Sequence, residues 1–164
     1  MTKERRKEGA KSSDTDFLEF DELVASIDET IQKEERAIYT ERTLAEAYNP
    51  KNVGELKNPD GVAKITGPCG DTMQIQLQVE GDIITDVKFV TDGCGASTAC
   101  GSVITELAKG KTVEGASRIK DTDVLAVLGG LPEENVHCAL LAADTFNAAL
   151  DEYRSKLKCK ESGR

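Results

Sequence analysis

The sequence predicts an α+β domain in which a small three-stranded antiparallel sheet, a meander, carries helices packed on one face, preceded by an N-terminal helical extension. Two observations lead to this prediction. Three short segments with the residue alternation of strands follow one another between residues 62 and 91. The segments after residue 95 carry apolar residues at the three- and four-residue spacing of helices.

Residues 1–37 form the predicted N-terminal extension. Residues 1–16 are polar and without periodicity, so we expect them to be disordered. From Phe17 the spacing predicts an amphipathic helix that reaches about Glu35. Its apolar face can pack on the chain's own core, on a second copy or on a partner, and a helix that caps its own domain is the commonest case. The apolar positions are Phe17, Phe20, Val24, Ile27 and Ile31.

A second helix and the sheet are predicted next. The helix runs from about Thr40 to Tyr48 and ends at Asn49-Pro50, because a residue before proline disfavours helical backbone. The strands are 62–66, 72–80 and 83–91, with Gly81-Asp82 as a tight turn. One face of the sheet is expected to be buried by Met73, Ile75, Leu77 and Val79 of the second strand and by Ile83, Val87 and Phe89 of the third.

The remaining segments are predicted to be helical. Helices are expected over 96–109, 113–118 and 122–128, and the last helix begins around Asn135. The domain that these elements form is expected to span residues 38–156, followed by a polar C-terminal tail over 157–164.

Composition excludes two classes of partner. The net charge of −9 argues against nucleic acid, because binding to phosphates needs a basic surface. No run approaches the ~20 apolar residues of a membrane span, and no apolar stretch follows the charged start as in a secretory signal. We therefore expect a cytoplasmic protein without membrane contact.

Five cysteines and one histidine are the informative part of the composition. An odd number of cysteines in a cytoplasmic chain indicates reduced thiols that bind metal or react, rather than a disulfide framework. The alternative is that cysteine serves as a small buried residue. The position of each cysteine decides between the two interpretations.

Cys69 and Cys94 are expected at the same end of the sheet. Cys69 lies in the turn between the first two strands and Cys94 just after the third, and in a meander these two points are neighbours. Nearby glycines would let backbone N–H groups approach whatever the sulfurs hold. Topology rather than sequence spacing therefore brings the two thiols together.

Cys138, Asp71 and His137 complete the candidate site. Cys94 precedes a helix and Cys138 lies in the first turn of another, so the positive helix ends are expected to favour both thiolates. Asp71 lies two residues from Cys69 along a strand and points the same way. His137 is adjacent to Cys138. Three thiols, one imidazole and one carboxylate indicate a metal or sulfur site.

Two cysteines fit the alternative interpretation. Cys100 lies within a predicted helix among small residues, as a buried structural cysteine would. Cys159 lies in the charged tail and is expected to be exposed.

Six motifs carry a resemblance to a known family, and the match runs from about Tyr39 to Tyr153. They are Tyr39-Thr40-Glu41, Asn49-Pro50-Lys51-Asn52-Val53-Gly54, Cys69-Gly70-Asp71, Gly93-Cys94-Gly95-Ala96-Ser97, Lys109-Gly110-Lys111-Thr112-Val113 and His137-Cys138. In this order and spacing, the sequence resembles the NifU/IscU family of iron–sulfur cluster assembly scaffolds.

The resemblance implies a function and a ligand set. Cys69, Cys94, Cys138 and Asp71 would ligate an iron–sulfur cluster, with 2Fe–2S as the expected type, or a zinc ion in the cluster-free form. His137 would be an alternative ligand. A cysteine desulfurase would supply sulfur as persulfide, and apo-proteins would receive the cluster, so the protein would be a scaffold rather than an enzyme.

The resemblance also concerns partners. Tyr39 is similar to the family's N-terminal tyrosine, which is linked to persulfide handling and self-association, so a homodimer is one implied state. Many members carry Leu-Pro-Pro-Val-Lys before the His-Cys pair, a motif bound by an Hsp70-type chaperone. The segment 131–136 here reads Leu-Pro-Glu-Glu-Asn-Val, so the resemblance does not extend to that chaperone. It gives no account of residues 1–38.

The chemistry of the ligands favours an exchangeable site but leaves two other functions open. A hard aspartate oxygen is a poorer partner for an iron–sulfide core than thiolate, so the fourth position is weak. The same residues would bind tetrahedral zinc in a zinc-dependent persulfide acceptor. They would also suit a purely structural zinc module.

Overall fold

The computed structural model describes residues 13–163, with side chains described from residue 17 onward. The chain divides between Ala37 and Ile38 into two compact units. Among the described residues, no helix combines the length and apolar composition needed to cross a membrane. The predicted disorder of residues 1–12 lies outside the described part of the chain.

Within the described residues, the first unit is formed by helix α1, Ser13–Ile38, except for its last residue. The prediction of disorder for residues 13–16 is wrong, because the helix begins four residues before Phe17. Periodicity cannot detect this first turn, since residues 13–16 include no apolar side chain. The predicted amphipathic helix itself is confirmed.

The second unit has an α+β fold with the predicted order of elements. Its elements are α2 (Glu41–Tyr48), β1 (Gly61–Thr66), β2 (Thr72–Glu80), β3 (Ile83–Thr91), α3 (Gly95–Ala108), α4 (Val113–Ala116), α5 (Asp121–Leu128), a 3-10 helix (Glu133–Asn135) and α6 (Val136–Ser162). The Thr40 hydroxyl caps the start of α2 by accepting from the backbone N–H of Thr43 at 3.1 Å.

The sheet is the predicted antiparallel meander, with strand order β1-β2-β3. Ile75 of β2 lies between Ala63 of β1 and Phe89 of β3. Helix α6 packs on β1 and β2, while α3 packs on β3. The largest fully buried side chains lie between these helices and the sheet, and include Phe89, Phe146, Met73, Ile75, Leu77 and Ile104.

The face predicted for β3 is wrong at one position. Ile83 is 40% exposed, whereas Ile84 is fully buried together with Val87. The pairing of Val79 with Ile84 and of Gln78 with Asp86 leaves Thr85 as an extra residue. This β-bulge reverses the alternation of the first residues of β3, which strict period-two spacing cannot anticipate.

Helix α3 approaches the sheet closely at Gly101. A Cβ atom at this position would lie 2.4 Å from two ring carbons of Phe89, so a larger residue would push the helix away. The approach matters for the site, because Cys94 stands at the N-terminus of α3.

Helix α6 continues through most of the segment predicted as a polar tail. It extends to Ser162, and its side chains from residue 157 onward are exposed where described. Lys and Glu residues favour helix without burying any surface, so beyond Leu157 the extension carries no apolar periodicity. Lys156 and Glu152 support it with an ion pair at 2.8 Å.

A truncation tests whether the second unit folds by itself. Deleting residues 1–36 is expected to leave a domain with a cooperative thermal transition, because among the described residues every buried hydrophobic side chain of the core cluster lies between Met73 and Leu150. Circular dichroism of the truncated and full chains, followed by cluster reconstitution, provides the measurement. Loss of the cooperative transition would show that α1 belongs to the core.

Candidate metal centre

The turn after β1 and the end of β3 lie side by side at one end of the sheet. The N–H of Asp92 donates to the carbonyl of Thr72 at 3.2 Å, and the N–H of Thr72 donates to Asp92 Oδ1 at 2.7 Å. The turn itself closes through a 2.8 Å bond from the Gly67 N–H to the Asp71 carbonyl. These contacts place Asp71 beside the residues that lead into α3.

Asp71, Cys94 and Cys138 form the centre of the site. A carboxylate oxygen of Asp71 and the two Sγ atoms all lie within 4.8 Å of one another. Asp71 comes from the turn before β2, Cys94 occupies the N-cap position of α3, and Cys138 is the third residue of α6. Three elements distant in sequence thus converge on two thiols and one carboxylate, a donor set that suits zinc or an iron–sulfur cluster.

Two other predicted site residues lie around this group. Cys69 is exposed in the turn, two residues before Asp71, and is not among the three whose ligand atoms converge. Gly70 between them has φ +92°, so the prediction that Cys69 and Asp71 lie along one extended strand is wrong, and both lie in the turn before β2. His137 is half-buried, with Nε2 3.7 Å from Cys138 Sγ. The structure therefore gathers three of the five residues and leaves a thiol and an imidazole beside them.

The protonation of Cys138 differs from the thiolate form that the sequence predicts. Its side chain is fully buried, and desolvation, more than any other influence, raises the pKa of its thiol to about 11. The nearby Cys94 and Asp71 raise this pKa further, while a hydrogen bond with Ser97 opposes the shift. The expectation of a helix-stabilised thiolate is wrong here, because burial outweighs the helix end. A metal ion at Cys138 must displace this proton, so metal binding strengthens as pH rises.

Ser97 is a site residue that the sequence did not reveal. Its buried hydroxyl donates to Asp71 Oδ2 at 2.7 Å and lies 3.9 Å from Cys94 Sγ. The N–H of Cys94 also points to Asp71 Oδ2, at 3.4 Å. The available signal is its position three residues after the cap of α3, where a side chain faces the helix start. Ser97 thus fixes the direction of the Asp71 carboxylate.

The close packing of Asp71 against Ser97 requires a glycine at position 93. A Cβ atom there would lie 2.6 Å from Asp71 Oδ2 and 2.6 Å from the Cβ of Ser97. This geometry gives the glycine beside Cys94 a physical role, which is to let the carboxylate approach the start of α3.

The other two cysteines lie as predicted. Cys100 is fully buried within α3, where burial and the nearby Cys138 and Cys94 sulfurs raise its thiol pKa. Cys159 is exposed on α6.

Comparison with known proteins identifies the family. The NifU-like N-terminal domain matches residues 38–160. The chain belongs to this family. The iron sulfur cluster assembly protein 1 (mitochondrial) of Debaryomyces hansenii is 42% identical over 132 residues, 77% of this chain and 73% of that protein. The iron-sulfur cluster assembly scaffold protein IscU of Escherichia coli K12 is 40% identical over 127 residues, 74% of this chain and 98% of that protein.

A solved structure shows the same fold. The N-terminal part of a nitrogen-fixing NifU-like protein from Brucella abortus superposes with a TM-score of 0.58 at 25% identity, covering 73% of this chain and 96% of that one. The resemblance stated from the motifs is thereby confirmed.

Tyr39 lies at the start of the NifU-like domain and hydrogen-bonds to the residue that precedes α6. Its hydroxyl donates to Asn135 Oδ1 at 3.0 Å, and Asn135 stands two residues before His137. The segment that departs from the chaperone motif forms the 3-10 helix here, with Glu133 and Glu134 exposed.

A pair of serine substitutions on α3 separates a site effect from a stability effect. Ser97→Ala is expected to weaken Zn²⁺ affinity about tenfold, because residues that orient a ligand typically have this influence. The domain itself should lose about 1 kcal/mol or less, since the half-buried Asp71 can be rehydrated. Zinc titration by competition with a chelator and urea unfolding measure the two effects.

Ser102→Ala is the matched control on the same helix. Ser102 donates to the buried carboxylate of Glu46 and accepts from the N–H of Lys51 at 2.8 Å, away from the three ligands. Its loss should cost about 1–3 kcal/mol of stability and leave zinc affinity unchanged. Equal zinc affinities of the two variants would show that Ser97 has no role in metal binding.

Proposed function

We propose that this protein is a scaffold on which an iron–sulfur cluster is assembled as cargo and from which it is transferred to apo-proteins. The observation that carries the proposal is the convergence of Asp71, Cys94 and Cys138 within 4.8 Å in a NifU-like domain. The relatives named above as cluster assembly proteins support it over most of the chain.

The cargo is proposed to be a 2Fe–2S cluster with a mixed ligand set. Cys69, Cys94 and Cys138 would supply thiolates, Asp71 the fourth ligand, and His137 an alternative to Asp71. Permanent clusters are usually held by four thiolates. A carboxylate at one position gives a weaker bond to iron, which suits a cluster that has to leave.

The exposure of the three cysteines supports a route by which sulfur would be delivered. Cys69 and Cys94 are exposed while Cys138 is buried, so the first two are the accessible nucleophiles. The thiolate of either attacks the outer sulfur of a desulfurase persulfide, a new S–S bond forms, and the desulfurase thiolate leaves. Reduction of the transferred sulfur to sulfide then takes two electrons from an external thiol or electron donor.

The remaining functional assignments follow from this role. A cysteine desulfurase and apo-proteins are the proposed partners, with zinc occupying the same residues in the cluster-free form. The protein would act as a carrier without an enzymatic turnover of its own, in the cytoplasm, apart from membranes and nucleic acid. The Tyr39 end of the domain is the proposed region of self-association into a homodimer.

Anaerobic reconstitution tests the proposal. The full chain is incubated with ferrous iron, cysteine, a reductant and a desulfurase, and then analysed by visible absorption and by metal and sulfide content. A brown protein with equal amounts of iron and sulfide is expected. A colourless protein that holds only zinc under the same conditions would favour the persulfide acceptor or the structural zinc module instead.

A further inference from the structure

Helix α1 carries an apolar face that takes no part in the metal centre. Five of its apolar side chains are between 41% and 70% exposed. They are Phe17, Phe20, Val24, Ile27 and Ile31. Their spacing alternates strictly between three and four residues, which is the a/d repeat of a helix that pairs with another helix. We call these five residues the α1 seam.

Acidic residues line one side of the seam. With Phe17 at position a, the e positions include Asp21 and Asp28, and the g positions include Leu23 and Thr30. Residues 17–37 contain seven acidic and two basic side chains. The e and g positions determine which helix a seam accepts, so α1 presents an apolar stripe with an acidic border along its e positions.

The acidic border disfavours a second copy of the chain. In a parallel pair, Leu23 would face Asp28 of the other copy, which offers no attraction. In an antiparallel pair, Asp21 and Asp28 of one copy would face the same acids of the other, and like charges repel. Neither orientation of α1 on itself gives a complementary pair at these positions.

The same border disfavours a lipid surface. Helices that lie on membranes carry Lys and Arg on their polar face, which attract anionic headgroups. The polar positions of α1 are mostly acidic, including Glu19, Glu22 and Glu29.

We propose that the α1 seam docks a helix of another protein whose own apolar heptad face is bordered by lysine and arginine. Such a helix buries the five apolar side chains and pairs its cations with Asp21 and Asp28. The site lies in the first unit, outside the NifU-like domain at residues 38–160, and the inference does not depend on the cargo proposed for that domain.

Two designed peptides test the chemistry of this surface. Both contain about four heptads with Ile at a and Leu at d, and they differ only in having Lys or Glu at every e and g position. Fluorescence anisotropy with the full chain should show binding of the Lys peptide and at least about tenfold weaker binding of the Glu peptide. The preference should shrink as salt is raised, because the border charges are exposed.

Three double variants of the full chain locate the binding site. Asp21→Lys with Asp28→Lys should reverse the preference in favour of the Glu peptide. Val24→Gln with Ile27→Gln should abolish binding of both peptides. Glu22→Lys with Glu29→Lys has the same net charge as the first variant but alters the opposite helix face, and should keep the original preference. Unchanged zinc affinity in all three shows that the NifU-like domain is intact.

Several results would overturn the inference. Equal binding of both peptides, or binding of neither, would show that the border does not select a basic helix. Dimerisation that Val24→Gln with Ile27→Gln removes would identify a second copy as the occupant of the seam. Binding to phosphatidylglycerol vesicles that the same variant removes would identify a membrane instead.

Discussion

Replacing Cys94 or Cys138 with serine is expected to reduce cluster assembly to a small fraction of the wild-type level, roughly tenfold or more. A serine hydroxyl is not ionised near neutral pH and is a harder ligand than thiolate, so it binds an iron–sulfide core poorly. Both sulfurs belong to the group within 4.8 Å, and no other cysteine within the described residues belongs to it. Cys69→Ser is expected to have a similar effect, because its turn lies beside the group.

Two cysteines provide the controls for this prediction. Cys159→Ser alters an exposed thiol on α6 and should leave assembly intact. Cys100→Ala alters a buried thiol close to the site and should also leave it intact, which separates ligation from proximity. Reconstitution followed by iron and sulfide analysis measures all five variants. A dispensable Cys94 together with an essential Cys159 would contradict the site assignment.

Asp71→Ala is expected to give a cluster that forms, persists longer and transfers more slowly. In the proposed exchange the aspartate would swing away during release, so that water or an incoming thiol would reach the iron. Its carboxylate accepts from Ser97 Oγ at 2.7 Å and lies within 4.8 Å of the two thiols. Without the carboxylate, His137 can take the fourth position, since its Nε2 lies 3.7 Å from Cys138 Sγ.

A second substitution shows whether the imidazole explains the longer lifetime. Asp71→Ala combined with His137→Ala should lose the added durability, whereas Asp60→Ala should behave as wild type. Asp60 is the matched control, because it accepts from the Val79 N–H at the opposite end of β2 and is not among the converging ligands. Cluster half-life under a chelator and the rate of transfer to apo-ferredoxin are measured together. A faster-decaying Asp71→Ala cluster would contradict the exchange argument.

The sequence predicts those parts of the fold that depend on local pattern. Alternation and turn residues place β2 and its two-residue connection to β3, and the meander follows from three neighbouring strands. The bulge at Thr85 depends on which hydrogen bonds form across the ladder, so alternation alone predicts the wrong face for Ile83. Periodicity does not predict the start of α1, because its first turn contains no apolar residue.

The site was predictable in outline because topology, rather than detailed packing, brings Asp71 and Cys94 together. The role of Ser97 depends on a hydroxyl meeting a carboxylate 26 residues away, which no spacing rule describes. The protonation of Cys138 depends on burial between α6 and its neighbours, and this desolvation appears only once the helices are packed.

Transfer of the cluster is the measurement that tests the central claim most directly. The reconstituted full chain is mixed anaerobically with an apo-ferredoxin, and visible circular dichroism follows the cluster in both proteins. The scaffold function predicts that the ferredoxin gains its cluster as this protein loses one, also when a chelator traps free iron. A cluster that stays on this protein, or a ferredoxin signal that the chelator abolishes, would contradict the claim.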